Sequence, residues 1–243
     1  MDGEAIRRIA ELAVQAETKN FKDTVYVKDN YHPLGVTHDE TVRFSTLDDF
    51  CTFIKTNPQK QDLKNAIAVV NSNFSVSLLS RVNPLDGQRT EIAVAKMHDI
   101  EGFRFGNAYD VEAFVIALKS KFAREDSDWN EVFNLVRKVQ IEDGVELNDD
   151  GLSQKVTIKK GVSAASVESA NKPVDYALRP YRIFPEVEQP KSVFFLRLSG
   201  SKEYGVKASL FETDGGAWKI DAARTIRDFV KSCIGNTEIP VYC

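Results

Sequence analysis

Three β-type runs with very short gaps between them constrain the fold of this chain more than any other feature. They are NAIAVVN at 65–71, FSVSLLS at 74–80 and TEIAVAKM at 90–97. Parallel strands need a crossover connection of a dozen or more residues, usually a helix, and these gaps leave no room for one. The three runs are therefore predicted to pair antiparallel as a meander.

Later segments carry the same strand signals. The NDDG sequence at 148–151 separates two β-type runs, and Asn, Asp and Gly tolerate the positive φ angles that a hairpin turn needs. Two longer runs, SVFFLRL at 192–198 and VKASLFE at 206–212, are rich in aromatic and aliphatic residues. Together with IPVY at 239–242, they are predicted to be strands.

Five stretches instead place apolar residues at helical spacing. The first spans residues 4–18, and the last runs from about Ala217 to Ile234 with Trp218 and Ile226 on its apolar stripe. The three between them start with a polar residue followed three positions later by an acidic one, which is typical of a helix N-terminus. These pairs are Thr46 with Asp49, Asn107 with Asp110, and Asp128 with Glu131.

Strands in short-loop runs, interspersed with four or five helices, predict an α+β fold with largely antiparallel sheets. The regular alternation of a doubly wound parallel sheet is missing. No clear boundary divides the chain, so residues 1–243 are interpreted as one domain. The small, polar stretch at 161–173 is the best linker candidate, and it leaves open a division into two lobes.

The charge balance bears on partners and location. With a formal net charge of −4, the chain has no general attraction to nucleic acid or to anionic membranes. The N-terminal residues never reach the apolar run that a signal peptide needs, and no stretch approaches the ~20 apolar residues of a membrane span. We therefore expect a protein of the cytoplasm of the cell that makes it, which binds neither membranes nor nucleic acid.

Catalytic and cofactor motifs are missing from the sequence. Three cysteines, Cys51, Cys233 and Cys243, are too few and too scattered for a disulfide framework or a zinc site. The three histidines have no metal-ligand pattern, and neither a serine hydrolase motif nor a dinucleotide fingerprint occurs. These observations predict no metal, no cofactor and no catalytic residue, and favour a protein that is not an enzyme.

One acidic, glycine-containing segment is a weak candidate for an anion or metal site. It contains Glu212, Asp214, Gly215, Gly216 and Lys219, between a predicted strand and the last helix. Backbone N–H groups at a helix start can bind an anion, although the spacing is not that of a P-loop. The favoured interpretation is structural, with Asp214 as the N-cap and the glycines as a tight turn; anion binding and metal-assisted catalysis stay open.

A second segment is a candidate subunit contact. Arg179 and Arg182 flank Pro180 and Tyr181, and two carboxylates, Glu186 and Glu188, follow closely. The planar guanidinium group pairs with carboxylates through two parallel hydrogen bonds, and arginine and aromatic residues are enriched in subunit interfaces. The pattern fits bracing within one chain, a contact between copies of the chain, or a ligand site.

The C-terminal half carries a resemblance. The segments PYRIFPEVEQPKSVFFLRL and LFETDGGAWK, preceded by DDGLSQKVTIKKGV, resemble an uncharacterised family of bacteriophage and prophage proteins, of which the bacterial prophage protein YfdQ is a distant relative. The similarity extends to RFGNAYDVEAFVIALKSKF in the central part. It implies a phage-encoded, cytoplasmic accessory protein. The family brings no established active site, so it assigns no catalytic residue here.

Two functional hypotheses from different classes follow. The first is a non-enzymatic phage accessory protein that acts through homo-oligomeric self-assembly, as a scaffold, a shell-like particle or a sequestering protein. The alternative is a Mg²⁺-dependent enzyme acting on nucleic acid or nucleotides, in which Glu212 and Asp214 hold the metal and Lys219 stabilises transition-state charge.

Overall fold

The computed structural model describes most of the chain between residues 40 and 243. The described residues are 4, 7, 8, 12, 18–21, 24–27, 40–84, 87–124, 127–141, 145–149, 154–158, 171–172, 175–201, 205–235 and 237–243. The predicted N-terminal helix and the predicted linker at 161–173 therefore lie almost entirely outside the described residues.

The described residues form fourteen strands and four helices. In chain order the strands are β1 (Thr18–Phe21), β2 (Thr24–Val27), β3 (Val42–Phe44), β4 (Ile67–Ser72), β5 (Ser75–Leu79), β6 (Glu91–Lys96), β7 (Tyr109–Asp110), β8 (Val145–Asp149), β9 (Gln154–Ile158), β10 (Asn171–Lys172), β11 (Asp175–Leu178), β12 (Ser192–Ser201), β13 (Gly205–Glu212) and β14 (Val241–Tyr242). The helices are α1 (Leu47–Thr56), α2 (Val111–Lys121), α3 (Ser127–Ile141) and α4 (Trp218–Ile234).

Two larger sheets organise the described chain. The first has the order β14-β4-β5-β6-β3, and its three central strands form the predicted antiparallel meander. Only its edge strands pair parallel, β14 with β4 and β3 with β6. The second has the order β11-β12-β13-β7 and is antiparallel throughout. Strands β8 and β9 form the predicted hairpin. The α+β fold with largely antiparallel sheets is confirmed, and no doubly wound parallel sheet is present in the described chain.

The first hydrophobic core lies between the five-stranded sheet and helices α1 and α4. It includes Phe50 and Ile54 from α1, Ile226 from α4, and Val76 and Leu78 from β5, all of them buried. The apolar residues of the helical stripes and of the β-type runs that predicted these elements are the ones that meet here. Burial of each such side chain stabilises the fold by about 1.5–3 kcal/mol.

The second core lies between the β11–β13 sheet and helices α2 and α3. Phe114 and Leu118 from α2 and Val132 from α3 pack against Phe194 and Leu196 from β12. The helices precede residues 161–173 in the chain, whereas the strands follow them. The single domain with possible lobes on either side of residues 161–173 stays a prediction. None of the helices in the described part combines the length and hydropathy that crossing a bilayer requires.

Two of the predicted helix starts differ in how they are capped. The Thr46 prediction is confirmed, since its hydroxyl oxygen accepts a hydrogen bond from the backbone N–H of Asp49 at 3.2 Å. The predicted start at Asn107 is wrong, because helix α2 starts at Val111, with Asp110 in the N-cap position but without a side-chain capping bond. Asp110 also belongs to β7, which pairs with β13. Its backbone conformation is therefore set by a strand pairing that the local sequence does not show.

The third capping prediction, Asp128 with Glu131, is wrong. Helix α3 already begins at Ser127, so Asp128 lies inside its first turn. Its carboxylate accepts a hydrogen bond of 2.8 Å from the backbone N–H of Ala177 on the edge strand β11. An unpaired edge N–H is costly to bury, and this carboxylate satisfies it. Asp128 therefore ties α3 to the sheet instead of capping the helix.

Tyr176, in the second core, leads to a prediction about folding stability at alkaline pH. Its side chain is buried, and its hydroxyl has no hydrogen-bond partner among the described residues. Burial, followed by the charges of Glu131 and Asp128, raises the pKa of Tyr176 from 10.0 to about 12. Between these two values the unfolded chain has lost a proton that the folded chain keeps. Folding stability should therefore fall as pH rises from about 10 to about 12.

We expect the Tyr176→Phe variant to unfold within about 1 kcal/mol of the parent at neutral pH, because it removes an unpaired buried hydroxyl. In alkaline solution its stability should fall less steeply than that of the parent. Urea unfolding at pH 7 and pH 11 measures both effects. Tyr242→Phe, at an exposed position, is the control and should follow the parent. Equal alkaline losses in the Tyr176 variant and the parent would contradict the prediction.

Candidate functional site

The candidate site lies at the connection between β11 and β12, residues 179–191, which we call the connecting loop. Its residues Ile183, Phe184 and Val187 are buried in the first core. Leu178 before the loop and Phe194 after it are buried in the second core. The loop therefore joins the two cores, and the side chains it holds lie where the cores meet.

Gln189 determines the shape of the connecting loop. Its side-chain oxygen accepts hydrogen bonds from the backbone N–H groups of Arg182 at 2.9 Å and Ile183 at 3.1 Å. Its amide nitrogen donates to the carbonyl oxygens of Ile183, Phe184 and Val187 at 3.2–3.4 Å. This single buried amide bonds to backbone groups of the loop in the interior, where unpaired polar groups are costly. It therefore positions Arg182 at the place where the two cores meet, which we call the junction.

The Arg182 side chain makes three contacts at the junction. One terminal nitrogen donates to a carboxylate oxygen of Glu212 at 2.6 Å, and the other donates to the hydroxyl oxygen of Ser192. The guanidinium carbon lies 3.6 Å from the centroid of the Trp218 ring. The exposed fractions of the Arg182 and Glu212 side chains are 12% and 26%. The cation is therefore held between a carboxylate and an indole face, in the geometry of a cation–π contact.

The electrostatics of the junction are those of a mostly buried ion pair. Burial lowers the pKa of Arg182, whereas the hydrogen bond and charge of Glu212, and the charge of Asp214, act in the opposite direction. Two buried donors, the Arg182 Nε and the Trp218 Nε1, have no hydrogen-bond partner in the described chain. The guanidinium stays protonated, since the pKa of arginine is far above neutral.

A tight turn leads from β13 into α4. One side-chain oxygen of Asp214 accepts a hydrogen bond of 2.9 Å from the backbone N–H of Gly216. Gly215 and Gly216 have φ angles of +63° and +82°, which confirms the predicted glycine turn. Helix α4 begins at Trp218, with Ala217 in the N-cap position. The prediction that Asp214 is the N-cap is therefore wrong, because its carboxylate bonds within the turn that precedes the helix.

The residues of the predicted anion or metal site already make contacts within the chain. The Glu212 carboxylate pairs with Arg182, and that of Asp214 bonds to the Gly216 N–H, a group that an anion would otherwise use. The Lys219 ammonium lies 5.9 Å from the centroid of the Trp218 ring. Among the described residues, no three His, Cys, Asp or Glu side chains are placed together to hold a metal ion. That these residues bind an anion or a metal ion stays a prediction.

The second predicted set, the candidate subunit contact, makes several contacts within the chain. Arg179 pairs with Glu188 at 2.5 Å, as the internal-bracing interpretation predicted. Glu186 accepts a hydrogen bond of 2.8 Å from the backbone N–H of Leu47, the first residue of α1. The Tyr181 side chain is exposed. That these residues also contact another copy of the chain stays a prediction.

The structure joins the two predicted sets through the ion pair between Arg182 and Glu212, which are 30 residues apart in the chain. Sequence reasoning named both residues but did not pair them, because no spacing rule applies over that distance. It also missed Gln189 and Ser192. A polar residue beside a proline in an apolar segment is a weak signal for a buried amide, and we found no stronger one.

Comparison with known proteins found no relative of this chain. No protein-family model, no curated protein and no solved structure matches it. The resemblance to the phage and prophage family therefore stays a prediction. The functional conclusion depends on the geometry of this chain.

Proposed function

We propose that this protein is a phage-encoded, non-enzymatic accessory protein of the host cytoplasm that acts by assembling with copies of itself. The phage origin and the location are supported by the resemblance of residues 149–162, 180–198 and 210–219 to the phage and prophage family. Self-assembly is supported by one structural observation, an apolar patch on the outer face of the second sheet.

The outer patch consists of Val193, Phe195 and Phe211. Successive side chains of a strand point to opposite faces of a sheet, and residues 194, 196 and 198 of β12 are buried in the second core. Val193 and Phe195 therefore point away from that core. The exposed fractions of Val193 and Phe211 are 41% and 37%, and the rings of Phe195 and Phe211 lie 6.3 Å apart across the two strands.

Charges on two sides of the outer patch favour a second copy of the chain as its partner. Arg197 follows Phe195 on the same face of β12, and Asp175 is the cross-strand neighbour of Phe195 on β11. Both side chains are exposed. In a two-fold contact, a residue of one copy that contacts a second residue in the other copy is contacted in the same way by its own counterpart. A two-fold axis that runs through the patch and between Arg197 and Asp175 brings Arg197 of each copy toward the Asp175 of the other.

The contacts at the junction support assembly over the Mg²⁺-dependent enzyme. One oxygen of Glu212 and one of Asp214 already accept hydrogen bonds, of 2.6 Å and 2.9 Å, so a metal ion would meet only the second oxygen of each carboxylate. Loss of the Glu212 bond would leave the mostly buried Arg182 without its carboxylate, which is costly. The enzyme hypothesis keeps its own test: metal-dependent cleavage of DNA, RNA or a nucleotide that is lost in a folded Asp214→Ala variant would establish it.

The assembly prediction is tested by light scattering during size-exclusion chromatography at micromolar concentration. We expect a mass that is a multiple of the 27.3 kDa subunit. The Phe211→Asp and Val193→Asp variants should weaken association by about tenfold or more, because each places a charge in the centre of an apolar contact.

The matched control for this test is Ile116→Asp, which changes an exposed apolar residue on α2. It should assemble like the parent. Circular dichroism and thermal unfolding of all variants show whether each is folded. A parent protein that is monomeric at every concentration tested, or an Ile116→Asp variant that dissociates like Phe211→Asp, would overturn the proposed assembly through the outer patch.

A further inference from the structure

Two cysteines that are distant in the sequence lie in the same core, Cys51 on α1 and Cys233 on α4. Cys51 is buried in the first core, and Cys233 packs against that core from the last turn of α4. Lys55 lies one turn after Cys51 on the same face of α1, and its ammonium nitrogen is 4.0 Å from the Cys233 sulfur. Cys233 therefore lies against the face of α1 that carries Cys51.

We propose that Cys51 and Cys233 are a redox-active thiol pair that a hydroperoxide converts to an intramolecular disulfide. The pair joins α1 to α4, so the disulfide fastens the two helices of the first core to each other. No role in assembly is required for this chemistry, and the inference does not depend on the proposed function.

The reaction has two steps. The Cys233 thiolate attacks one peroxide oxygen, the O–O bond breaks, and hydroxide or alkoxide leaves, so that Cys233 becomes a sulfenic acid. The Cys51 sulfur then attacks the Cys233 sulfur, the S–O bond breaks, and water leaves as the S–S bond forms. With hydrogen peroxide, two thiols and one peroxide give one disulfide and two waters. The sulfurs lose two electrons, and the peroxide oxygens gain them.

The exposure of the two cysteines determines which one is oxidised first. Cys233 is partly accessible to solvent, whereas Cys51 is buried, so a small oxidant reaches Cys233 first. Burial, followed by the hydrogen bond and the charge of Cys233, raises the pKa of the Cys51 thiol. Because the thiolate is the attacking form, closure of the disulfide by Cys51 should be slower than the first oxidation. The sulfenic acid should therefore accumulate briefly.

Cys243 provides the matched control. It is exposed, and its sulfur accepts a hydrogen bond of 3.7 Å from a terminal nitrogen of Arg227. Exposure alone would make Cys243 the most oxidised cysteine of the three. The proposal instead assigns the disulfide to the pair between α1 and α4. Cys243→Ser should leave that disulfide unchanged.

The experiment treats the reduced full-length protein with hydrogen peroxide and maps its peptides by mass spectrometry without reduction. We expect a peptide linking Cys51 to Cys233 in the parent and in Cys243→Ser, its loss in Cys233→Ser, and its disappearance after dithiothreitol. Dimedone should trap a sulfenic acid on Cys233 at early times. The disulfide should raise the Tm of the parent, and this rise should be absent in Cys233→Ser.

Measurements on the parent protein alone can overturn the proposal, even if a variant does not fold. A disulfide through Cys243, a Cys233 that proceeds to the sulfinic acid without a bond to Cys51, or three thiols still free after treatment would each contradict it. Size-exclusion chromatography of the oxidised parent under denaturing conditions separates the intramolecular disulfide from one between chains.

Discussion

The Trp218→Ala variant is expected to be about 4 kcal/mol less stable than the parent, because truncation of a buried aromatic side chain leaves a cavity. The indole is buried in the first core at the start of α4. It also forms the surface on which the Arg182 guanidinium lies at 3.6 Å. The variant therefore loses packing in the core and a cation–π contact worth about 1 kcal/mol. Urea unfolding followed by circular dichroism measures the loss.

Ile220→Ala is the control for this prediction. Ile220 lies on the same helix, two residues after Trp218, and its exposed fraction is 59%. Its truncation should change the free energy of unfolding by less than about 0.5 kcal/mol. If Trp218→Ala were as stable as Ile220→Ala, the indole would not be packed in solution. It would then be available to a ligand or partner, and the structural interpretation of the junction would fail.

The Gln189→Ala variant is expected to lose about 3 kcal/mol, because it removes partners from several buried backbone groups at once. The N–H groups of Arg182 and Ile183 lose their shared acceptor, and the carbonyl groups of Ile183, Phe184 and Val187 lose their shared donor. Loosening of the connecting loop should also disturb the stacking of Arg182 on Trp218. We therefore expect a change in tryptophan fluorescence in the folded variant as well as the loss in urea unfolding.

Glu188→Ala, one residue earlier in the connecting loop, is the matched control. Glu188 pairs with Arg179, but its side chain is mostly exposed. Exposed ion pairs contribute roughly 0–1 kcal/mol, so this variant should stay close to the parent. Equal losses in the two variants, or an unchanged fluorescence spectrum in Gln189→Ala, would show that the amide does not hold the loop as described.

Most of the strands and helices were predictable because their signals are local. The meander of β4, β5 and β6 follows from apolar runs with gaps too short for a crossover connection. The predicted stripe of α4 is confirmed at Trp218 and Ile226, which are both buried in the first core. Apolar residues at a helical or strand period lie on one face of the element in any fold that forms it. Their spacing therefore predicts the element directly.

Carboxylates were the residues whose partners the sequence predicted wrongly. Asp128 and Asp214 each stand where a helix N-cap is expected, and each bonds elsewhere, to Ala177 of β11 and to the N–H of Gly216. A carboxylate accepts a hydrogen bond from whichever N–H the fold brings near it. Local spacing alone cannot decide between a helix terminus and the unpaired edge of a strand that lies 49 residues away.

The sequence by itself determined the fold class, the antiparallel order of the central strands and the glycine turn before α4. Only the tertiary structure decided that Arg182 pairs with Glu212 and stacks on Trp218, that Gln189 holds the connecting loop, and that Cys233 packs against α1 in the core that contains Cys51. The physical reason is the range of each interaction. Periodicity and turn conformation act over a few residues, whereas these pairs form only after two cores have folded and brought distant segments together.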